Sequence, residues 1–143
     1  MATLLRPVPA DAPALAAALD AAHLPTEDLS DGGRRFFALD AAGQPVGYGG
    51  YELYGEEVLL RSVVVLEQHR GKGYGHAVTA AVLADAARAG ARRAFLLTTG
   101  AAAFFVREGF RPMDRRDAPA AILATKQATT ICSSATLLAR ALS

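Results

Sequence analysis

Apolar residues recur along this chain in short blocks, and the spacing within each block predicts either a strand or a helix. Residues 3–6 are predicted to form a short strand. After them, Leu15 and Leu19 repeat at helical spacing, Asp11 is a predicted N-terminal cap, and Pro25 ends the segment. The chain therefore begins with a predicted strand followed by a predicted helix.

The next blocks predict a hairpin and a central strand. Residues 34–40 and 46–54 are rich in Phe, Val and Tyr, and the link between them, residues 41–45, carries turn residues. These two segments are predicted to pair as antiparallel strands. Residues 58–66 contain so many branched apolar side chains that a strand buried on both faces is expected there. We take this segment as the central strand.

The second half of the chain alternates between helices and strands. The predicted elements are a helix over 77–89 that stops at Gly90, a strand over 94–98, a helix over 101–108 that stops at Gly109, a helix start at Asp117 and Pro119, and a last strand over 136–142. The sequence shows no linker, repeat or low-complexity segment. We therefore predict one α/β domain over residues 1–143.

Composition and charge are those of an ordinary folded protein. Of the 143 residues, 52% are apolar and 20% are charged, which disfavours a disordered chain. Fifteen Lys and Arg residues stand against fourteen Asp and Glu residues. This near-neutral balance offers no general attraction to nucleic acid or to acidic membranes, so an anion site would have to be local.

Cysteine content and hydropathy bear on the compartment. The single cysteine, Cys132, cannot form an internal disulfide, and no His and Cys residues have the spacing of a zinc site, so we predict no metal. An uncharged apolar run of roughly 18 residues, the length that spans a bilayer, is not found, and the N-terminus does not resemble a secretion signal. We predict a soluble, cytoplasmic protein. Cys132 is more simply an inert thiol than a reactive one.

One loop carries the strongest chemical signal. Every second residue is glycine in the segment Arg70-Gly71-Lys72-Gly73-Tyr74-Gly75, which lies between the predicted central strand and the following helix. Glycines let backbone N–H groups converge, and the helix adds the positive end of its dipole. The two cationic side chains would strengthen the grip on an anion. The loop therefore predicts a site for a pair of phosphates.

Other interpretations of the loop were considered. Three glycines can simply make a tight turn between a strand and a helix. A Walker loop requires Ser or Thr after the lysine, but Lys72 is followed by Gly73. The dinucleotide-binding pattern fails because Val78 occupies the place of its third glycine. The two common nucleotide-binding motifs are therefore excluded.

Two ordered segments resemble a known family. Residues 63–75 (VVVLEQHRGKGYG) are similar to the acetyl-CoA-binding signature of the GNAT superfamily of N-acetyltransferases, and residues 103–110 (AFFVREGF) resemble its later helix with a terminal Gly-Phe. Residues 59–62, 96–99 and 117–122 are similar to the branch associated with arsenic resistance and to amino-acid N-acetyltransferases. The resemblance implies a mixed, mostly antiparallel twisted sheet of six to seven strands flanked by about four helices.

The same resemblance implies where acetyl-CoA, the co-substrate, would bind. In the family, the central strand splays from its neighbour, here residues 94–98, and main-chain groups in the gap bind the pantetheine arm. The N–H of Val63 is the expected contact for the thioester carbonyl. The full set of expected acetyl-CoA contacts is Ser62, Val63, Val65, Arg70, Gly71, Lys72, Gly73, Tyr74, Gly75, His76, Phe104 and Phe105.

The resemblance is incomplete at two positions. Glu67 replaces a frequent proline before the loop. Phe105 replaces a tyrosine that, in many relatives, protonates the departing thiolate, and phenylalanine has no proton to give. The expected function is acetyl transfer to the amino group of a small amino acid or of an arsenic or phosphorus analogue. The alternative is a domain that binds CoA without turnover and acts as a sensor or interaction module.

Candidates for contact with the acceptor follow from charge and position. Glu52 is the leading candidate for a general base, directly or through a water, although a solvated hairpin carboxylate is the simpler interpretation. Arg61 interrupts a run that is otherwise buried, so it needs an anionic partner: either a substrate carboxylate, or a structural acid such as Glu52 or Asp40. Tyr51 and Thr98 complete the predicted substrate contacts.

Less can be predicted for the histidines and for assembly. His69 and His76 flank the phosphate loop, and His23 is expected at a helix end. Relatives of the resembled family are commonly dimers, and the apolar tail over residues 135–139 could contribute a strand to such a contact. A homodimer is therefore possible, and small-molecule amines are the expected partners.

Overall fold

The structure is a computed structural model that describes residues 2–131 and 134–142. Within these ranges it contains one seven-stranded sheet and four α-helices. The strands are β1 Thr3–Val8, β2 Arg34–Ala41, β3 Gln44–Tyr54, β4 Glu57–Val65, β5 Arg93–Thr98, β6 Arg111–Pro112 and β7 Thr136–Ala141. The helices are α1 Pro13–Ala21, α2 Tyr74–Arg88, α3 Ala102–Arg107 and α4 Ala120–Leu123.

The sheet is mixed and mostly antiparallel. Its strand order is β1-β2-β3-β4-β5-β7-β6, so β4 is the central strand, as predicted. The predicted hairpin is confirmed by antiparallel pairing of β2 with β3. Strands β4 and β5 are parallel because α2 carries the chain back across the sheet between them. The predicted fold class is confirmed.

Two predicted helix caps were wrong. The N-terminal cap of α1 is Ala12, which makes no side-chain bond, and Pro13 opens the helix in place of a capping side chain at Asp11. Asp117 instead closes a short 3₁₀ turn, Arg115–Asp117, and Pro119 is the residue that precedes α4. In both places a proline, whose φ is fixed near the helical value, stands at the start of the helix, and no side chain accepts a hydrogen bond from the first amides.

Helix α2 covers one face of the sheet. Its side chains at Val78 and Val82 are fully buried, and the helix packs mainly against β3 and β4. A Cβ atom at Gly49 on β3 would lie 2.9 Å from Val78, so the absence of a side chain there lets α2 approach the strand closely. The opposite face is covered by α1, through Leu15 and Leu19, and by α4, through Ile122.

The tail considered for dimer contact lies inside the sheet. It forms β7, which pairs with β5 on one edge and with β6 on the other. Leu137 and Leu138 are buried within the chain. Strand β6, with only two residues, was not predicted, because so short a segment has no periodicity. No helix in the described ranges is both long enough and apolar enough to cross a lipid bilayer.

Candidate active site

The predicted gap between β4 and β5 is present. Only three residues of each strand pair: Glu57–Leu59 of β4 pair with Arg93–Phe95 of β5. Beyond that point β5 continues beside β7, and β4 diverges. A cavity of about 100 Å³ separates them, and its wall includes Ser62, Val63, Thr98 and Phe105. The edge of β4 that faces the cavity therefore offers main-chain donors and acceptors to an extended ligand.

A bulge in β4 bends the strand at this gap. On the β3 side, Tyr48 pairs with Val64 and Gly50 pairs with Arg61, so two residues of β4, Ser62 and Val63, face the single residue Gly49. Ser62 has a φ of 60°, a left-handed conformation that is uncommon outside glycine. Strain of this kind is typical of functional sites, and here it falls on Ser62, a predicted acetyl-CoA contact, next to Val63.

Two of the three loop glycines have a left-handed backbone, and the third, Gly75, already lies in the first turn of α2, which begins before the predicted start at residue 77. Gly71 and Gly73 have φ values of 79° and 83°, and a Cβ at either position would meet no atom within 4 Å. Glycine is thus required there by conformation rather than by space. Gly73 is the N-terminal cap of α2, so the loop leads directly into a helix of 15 residues.

Several amides of the loop form no hydrogen bond with the main chain of the described residues. The first helical hydrogen bond of α2 runs from the amide of Ala77 to the carbonyl of Gly73, over 3.3 Å. Among the residues that the structure describes, the amides of Gly71, Lys72 and Gly75 have no main-chain acceptor. Unpaired N–H groups at a helix N-terminus favour an anion.

Side chains around the loop are partly engaged already. Arg70 donates from Nε to the carbonyl oxygen of Val65 over 3.1 Å, which anchors the loop to the end of β4. His76 faces solvent, and its Nδ1 lies 2.7 Å from Oε1 of Glu108. Phe104 packs under the loop, where a Cβ at Gly75 would lie 3.2 Å from its ring. Among the predicted acetyl-CoA contacts, Phe104 thus lies beside the loop, whereas Ser62, Val63 and Phe105 lie at the gap.

A buried charge cluster adjoins the gap. Arg61 donates from Nη1 and Nη2 to the two carboxylate oxygens of Asp28, each over 2.6 Å, and from Nη1 to Oε2 of Glu52 over 2.9 Å. Asp28 and Glu52 are fully buried, and Arg61 is 4% exposed. Asp28 was not identified from the sequence, because it lies 33 positions from Arg61 in a loop without periodicity.

Two further residues complete the cluster. Arg34 lies 3.1 Å from Asp28 and 3.7 Å from Glu52 through its Nη2 atom. The hydroxyl of Tyr54 donates to Oε1 of Glu52. With two arginines and two carboxylates, the cluster is neutral overall. Asp40, the other predicted partner of Arg61, instead pairs with Arg6 at the surface over 2.8 Å.

Burial and pairing act in opposite directions on these groups. Burial alone raises the pKa of Asp28, but the hydrogen bonds from Arg61 and Arg34 outweigh it, and the pKa falls below its ordinary value. Burial and the bond to Glu52 raise the pKa of Tyr54 to about 12. Near neutral pH, Asp28 is therefore an anion and Tyr54 a hydrogen-bond donor.

A larger cavity of about 440 Å³ lies beside the gap. Its wall includes Arg61, Ser62, Thr98 and Gln127, together with residues 22–25. Arg61 and Thr98, both predicted substrate contacts, are thus brought together. Thr98 accepts a hydrogen bond at Oγ1 from the amide of Ala101 over 3.0 Å.

The other two predicted acceptor contacts lie off this wall. Glu52 is enclosed behind Arg61. Tyr51 is buried on the α2 face, where its hydroxyl donates to Oδ2 of Asp85 over 2.6 Å. In the described ranges, no group of three or more His, Cys, Asp or Glu side chains is placed to hold a metal ion. Cys132 lies outside the described residues.

Sequence comparison decides the family. Residues 6–110 match the sequence model of the acetyltransferase (GNAT) family, which is well over half of the chain. The chain belongs to this family. The predicted family is confirmed. No protein with a curated description matches the chain.

Solved structures show the same fold. N-acetylglutamate synthase from Neisseria gonorrhoeae, complexed with coenzyme A and N-acetyl-glutamate, matches with a TM-score of 0.81 at 20% identity. Rv2747 from Mycobacterium tuberculosis, in complex with CoA and NLQ, matches with a TM-score of 0.77 at 20% identity over 100% of both chains. A GNAT acetyltransferase from Elizabethkingia anophelis with acetyl-CoA bound matches with a TM-score of 0.73 at 16% identity over 98% of both chains.

These likenesses differ in extent. The match to the synthase covers 100% of this chain but only 36% of the synthase chain, so the chain spans about a third of the length of that protein. At these identities the likenesses establish the fold of the present chain.

Proposed function

We propose that this GNAT acetyltransferase transfers the acetyl group of acetyl-CoA to the amino group of a small amino acid or amino-acid analogue. The observation that carries the proposal is the strained bulge at Ser62 and Val63, which opens β4 toward a cavity beside the glycine loop. A cytoplasmic location remains part of the proposal, as does a homodimer.

The residues present fit acetyl-CoA. The unpaired amides of Gly71, Lys72 and Gly75, at the N-terminus of α2, would hold the diphosphate with the help of the Lys72 side chain. The free edge of β4 would pair with the pantetheine arm as an added strand does. The neighbour from Elizabethkingia anophelis, which has the same fold, holds acetyl-CoA.

The protein's main task in acyl transfer is to bring an unprotonated amine close to a thioester carbonyl. A new N–C bond forms, and the C–S bond breaks. We assign the N–H of Val63 to the carbonyl oxygen, because a bulge residue turns its main-chain groups out of the ladder. Holding both reactants in the gap supplies proximity without a covalent intermediate.

The departing CoA thiolate needs a hydrogen-bond donor, and Phe105, which has no hydroxyl, cannot be that donor. Thr98 lies in the wall of the same cavity as Phe105. Its oxygen already accepts from the amide of Ala101, so its own hydrogen points elsewhere. We assign Thr98 as the hydrogen-bond donor that stabilises the departing thiolate.

We propose that Glu52 is the general base and that it removes the proton of the amine through a bridging water. The carboxylate is fully buried behind Arg61, so direct contact with an amine in the larger cavity is blocked. Glu52→Gln keeps the side-chain shape but removes the base. It should lower kcat at least tenfold, while the effect of acetyl-CoA on Tm is retained.

The acceptor class rests on the larger cavity. Its wall includes the polar residues Arg61 and Thr98, and the Arg61 side chain itself is covered by Asp28 and Glu52. The synthase with the same fold was solved with N-acetyl-glutamate, an acetylated amino acid. The resemblance to arsenic-resistance enzymes adds arsenic and phosphorus analogues of amino acids to the acceptor class.

A thiol-release assay tests the proposal. The purified protein should release CoA thiol from acetyl-CoA with at least one member of a panel of amino acids and their arsenic or phosphorus analogues. Acetyl-CoA should also raise Tm. A rise in Tm without turnover across the panel would favour the alternative, a CoA-binding module, which the lack of a hydroxyl at Phe105 supports.

A further inference from the structure

The contact between Asp28 and Arg61 has the geometry of a bound substrate carboxylate. Two carboxylate oxygens lie against two guanidinium nitrogens at 2.6 Å each, which is the two-point arrangement by which arginine binds carboxylate ligands. Arg61 also forms part of the wall of the 440 Å³ cavity proposed to hold the acceptor. The chain's own carboxylate therefore occupies the face of Arg61 that an amino acid would use.

Charge balance makes Asp28 and an acceptor carboxylate mutually exclusive. Arg34 and Arg61 are matched by Asp28 and Glu52, and these side chains are all at most 9% exposed. A third carboxylate brought against Arg61 would leave one negative charge unpaired in a buried site, which is strongly unfavourable. An exchange of one carboxylate for another keeps the cluster neutral.

We propose that Asp28 holds the carboxylate position on Arg61 and thereby sets acceptor specificity. An amine without a carboxylate enters the cavity with Asp28 in place, whereas an amino acid must replace Asp28. This inference rests on the proposed function, because it concerns the acceptor of that reaction.

The connection between α1 and β2 holds Asp28 next to Leu29, which is 5% exposed, and its other parts lie at the cavity and at the surface. Residues 22–25 of this connection line the cavity, so a ligand there contacts the segment directly. Its outer part is tied to the rest of the protein by a surface ion pair between Asp31 and Lys126. Exposed pairs of this kind contribute little stability.

A second observation points to an incoming acceptor atom. The Nε atom of Arg34 is buried and, among the described residues, has no hydrogen-bond partner. A buried donor without an acceptor is unfavourable in the resting protein. A carboxylate that displaces Asp28 would bring oxygen atoms into the cluster that contains Arg34, where they could accept from its Nε atom.

Binding of propionate tests the inference without CoA or turnover. Propionate supplies a carboxylate alone. Asp28→Asn removes the resident charge and keeps the side-chain shape, so calorimetry should show propionate binding at least tenfold tighter than to the wild-type protein. Ethylamine has no carboxylate, and its cation is disfavoured by the positive charge left in the cluster, so it should bind the variant no more tightly than the wild-type protein. Equal propionate affinity in the two proteins would overturn the inference.

A second variant covers the case in which Asp28→Asn does not fold. Asp31→Asn loosens the connection at the surface without touching the cluster. It should raise the ratio of kcat/KM for alanine to that for ethylamine at least threefold, with the ethylamine value unchanged. Asp114→Asn, which removes another surface ion pair elsewhere, should leave the ratio as in the wild type.

These outcomes separate the inference from the proposed function. Turnover with an unchanged ratio in Asp31→Asn would overturn the specificity role and leave the acetyltransferase intact. Absence of thiol release with any amine would overturn the proposed function, and the propionate measurement would still decide whether Asp28 occupies a carboxylate site.

Discussion

Tyr51 on β3 and Asp85 on α2 are joined by a hydrogen bond of 2.6 Å from the phenol hydroxyl to Oδ2. The bond spans 34 positions of sequence and fixes the C-terminal half of α2 to the sheet. Arg35 also donates to the phenol oxygen, over 3.2 Å. Because the glycine loop lies at the other end of the same helix, Tyr51 helps to position the loop without lying near the cavity.

Removal of that hydroxyl should therefore affect stability rather than acceptor binding. Tyr51→Phe is expected to lower the free energy of unfolding by about 1–2 kcal/mol, since it breaks a hydrogen bond to a carboxylate. The KM for the acceptor should stay within twofold of the wild type. Urea unfolding and steady-state kinetics check the two parts. A large rise in KM with unchanged stability would instead support the predicted substrate role of Tyr51.

Gly73 offers a test of the loop with a matched control. Gly73→Ala forces a side chain into the left-handed region and should cost about 1–2 kcal/mol of stability. It should also raise the KM for acetyl-CoA, because the amides of the loop are displaced. Gly43→Ala, in the β2–β3 turn, meets the same strain at a φ of 78° and equally open space. It should show the same loss of stability with the KM unchanged.

Ser62 tests the bulge. Ser62→Val places a β-branched residue at a φ of 60° and is expected to cost about 1–3 kcal/mol and to lower kcat more than tenfold. Ser62→Gly accepts this φ without strain, so it should retain most of the activity. Thermal unfolding and thiol release distinguish the two variants. If both lose activity equally, the hydroxyl of Ser62 matters rather than the backbone.

Thr98 tests the assignment of the sulfur-side donor. Thr98→Val should lower kcat about tenfold or more with little change in the KM for acetyl-CoA, since the hydroxyl acts only as charge develops on sulfur. Thr98→Ser keeps the hydroxyl and should stay within threefold of the wild type. Phe105→Tyr supplies a second hydroxyl to the same cavity and should partly restore the valine variant. Full activity of Thr98→Val alone would contradict the assignment of Thr98.

Acid should weaken the fold through Asp28. Its pKa in the folded chain is below the ordinary value of 3.8, so its stabilising effect is present above that value and is lost as pH falls through the folded pKa. Urea unfolding should thus show stability that is constant above about pH 5 and declines below about pH 4. In Asp28→Asn the free energy of unfolding should decline less steeply with falling pH. Asp40→Asn, which removes the surface pair with Arg6, should change the decline less than Asp28→Asn does.

Most of the fold could be predicted from local patterns. The strands at residues 34–41, 44–54 and 57–65 are rich in branched and aromatic side chains, and the helix after the glycine loop is rich in alanine. Glycine at positive φ also leaves a direct signature in sequence. The family resemblance then supplied the gap between β4 and β5, which no local pattern contains. The caps were misjudged because a proline start and an aspartate cap look alike without backbone angles.

The chemistry of the candidate site depended on the tertiary structure. The sequence by itself determined that Arg61 is an isolated charge in an apolar strand and therefore needs an anion. Only the folded chain decided that Asp28, from a connection without regular structure, is the anion that pairs with Arg61. The fold also decided that Glu52 lies behind Arg61. Partners in a buried ion cluster are chosen by three-dimensional proximity and charge balance, and neither leaves a periodic trace along the chain.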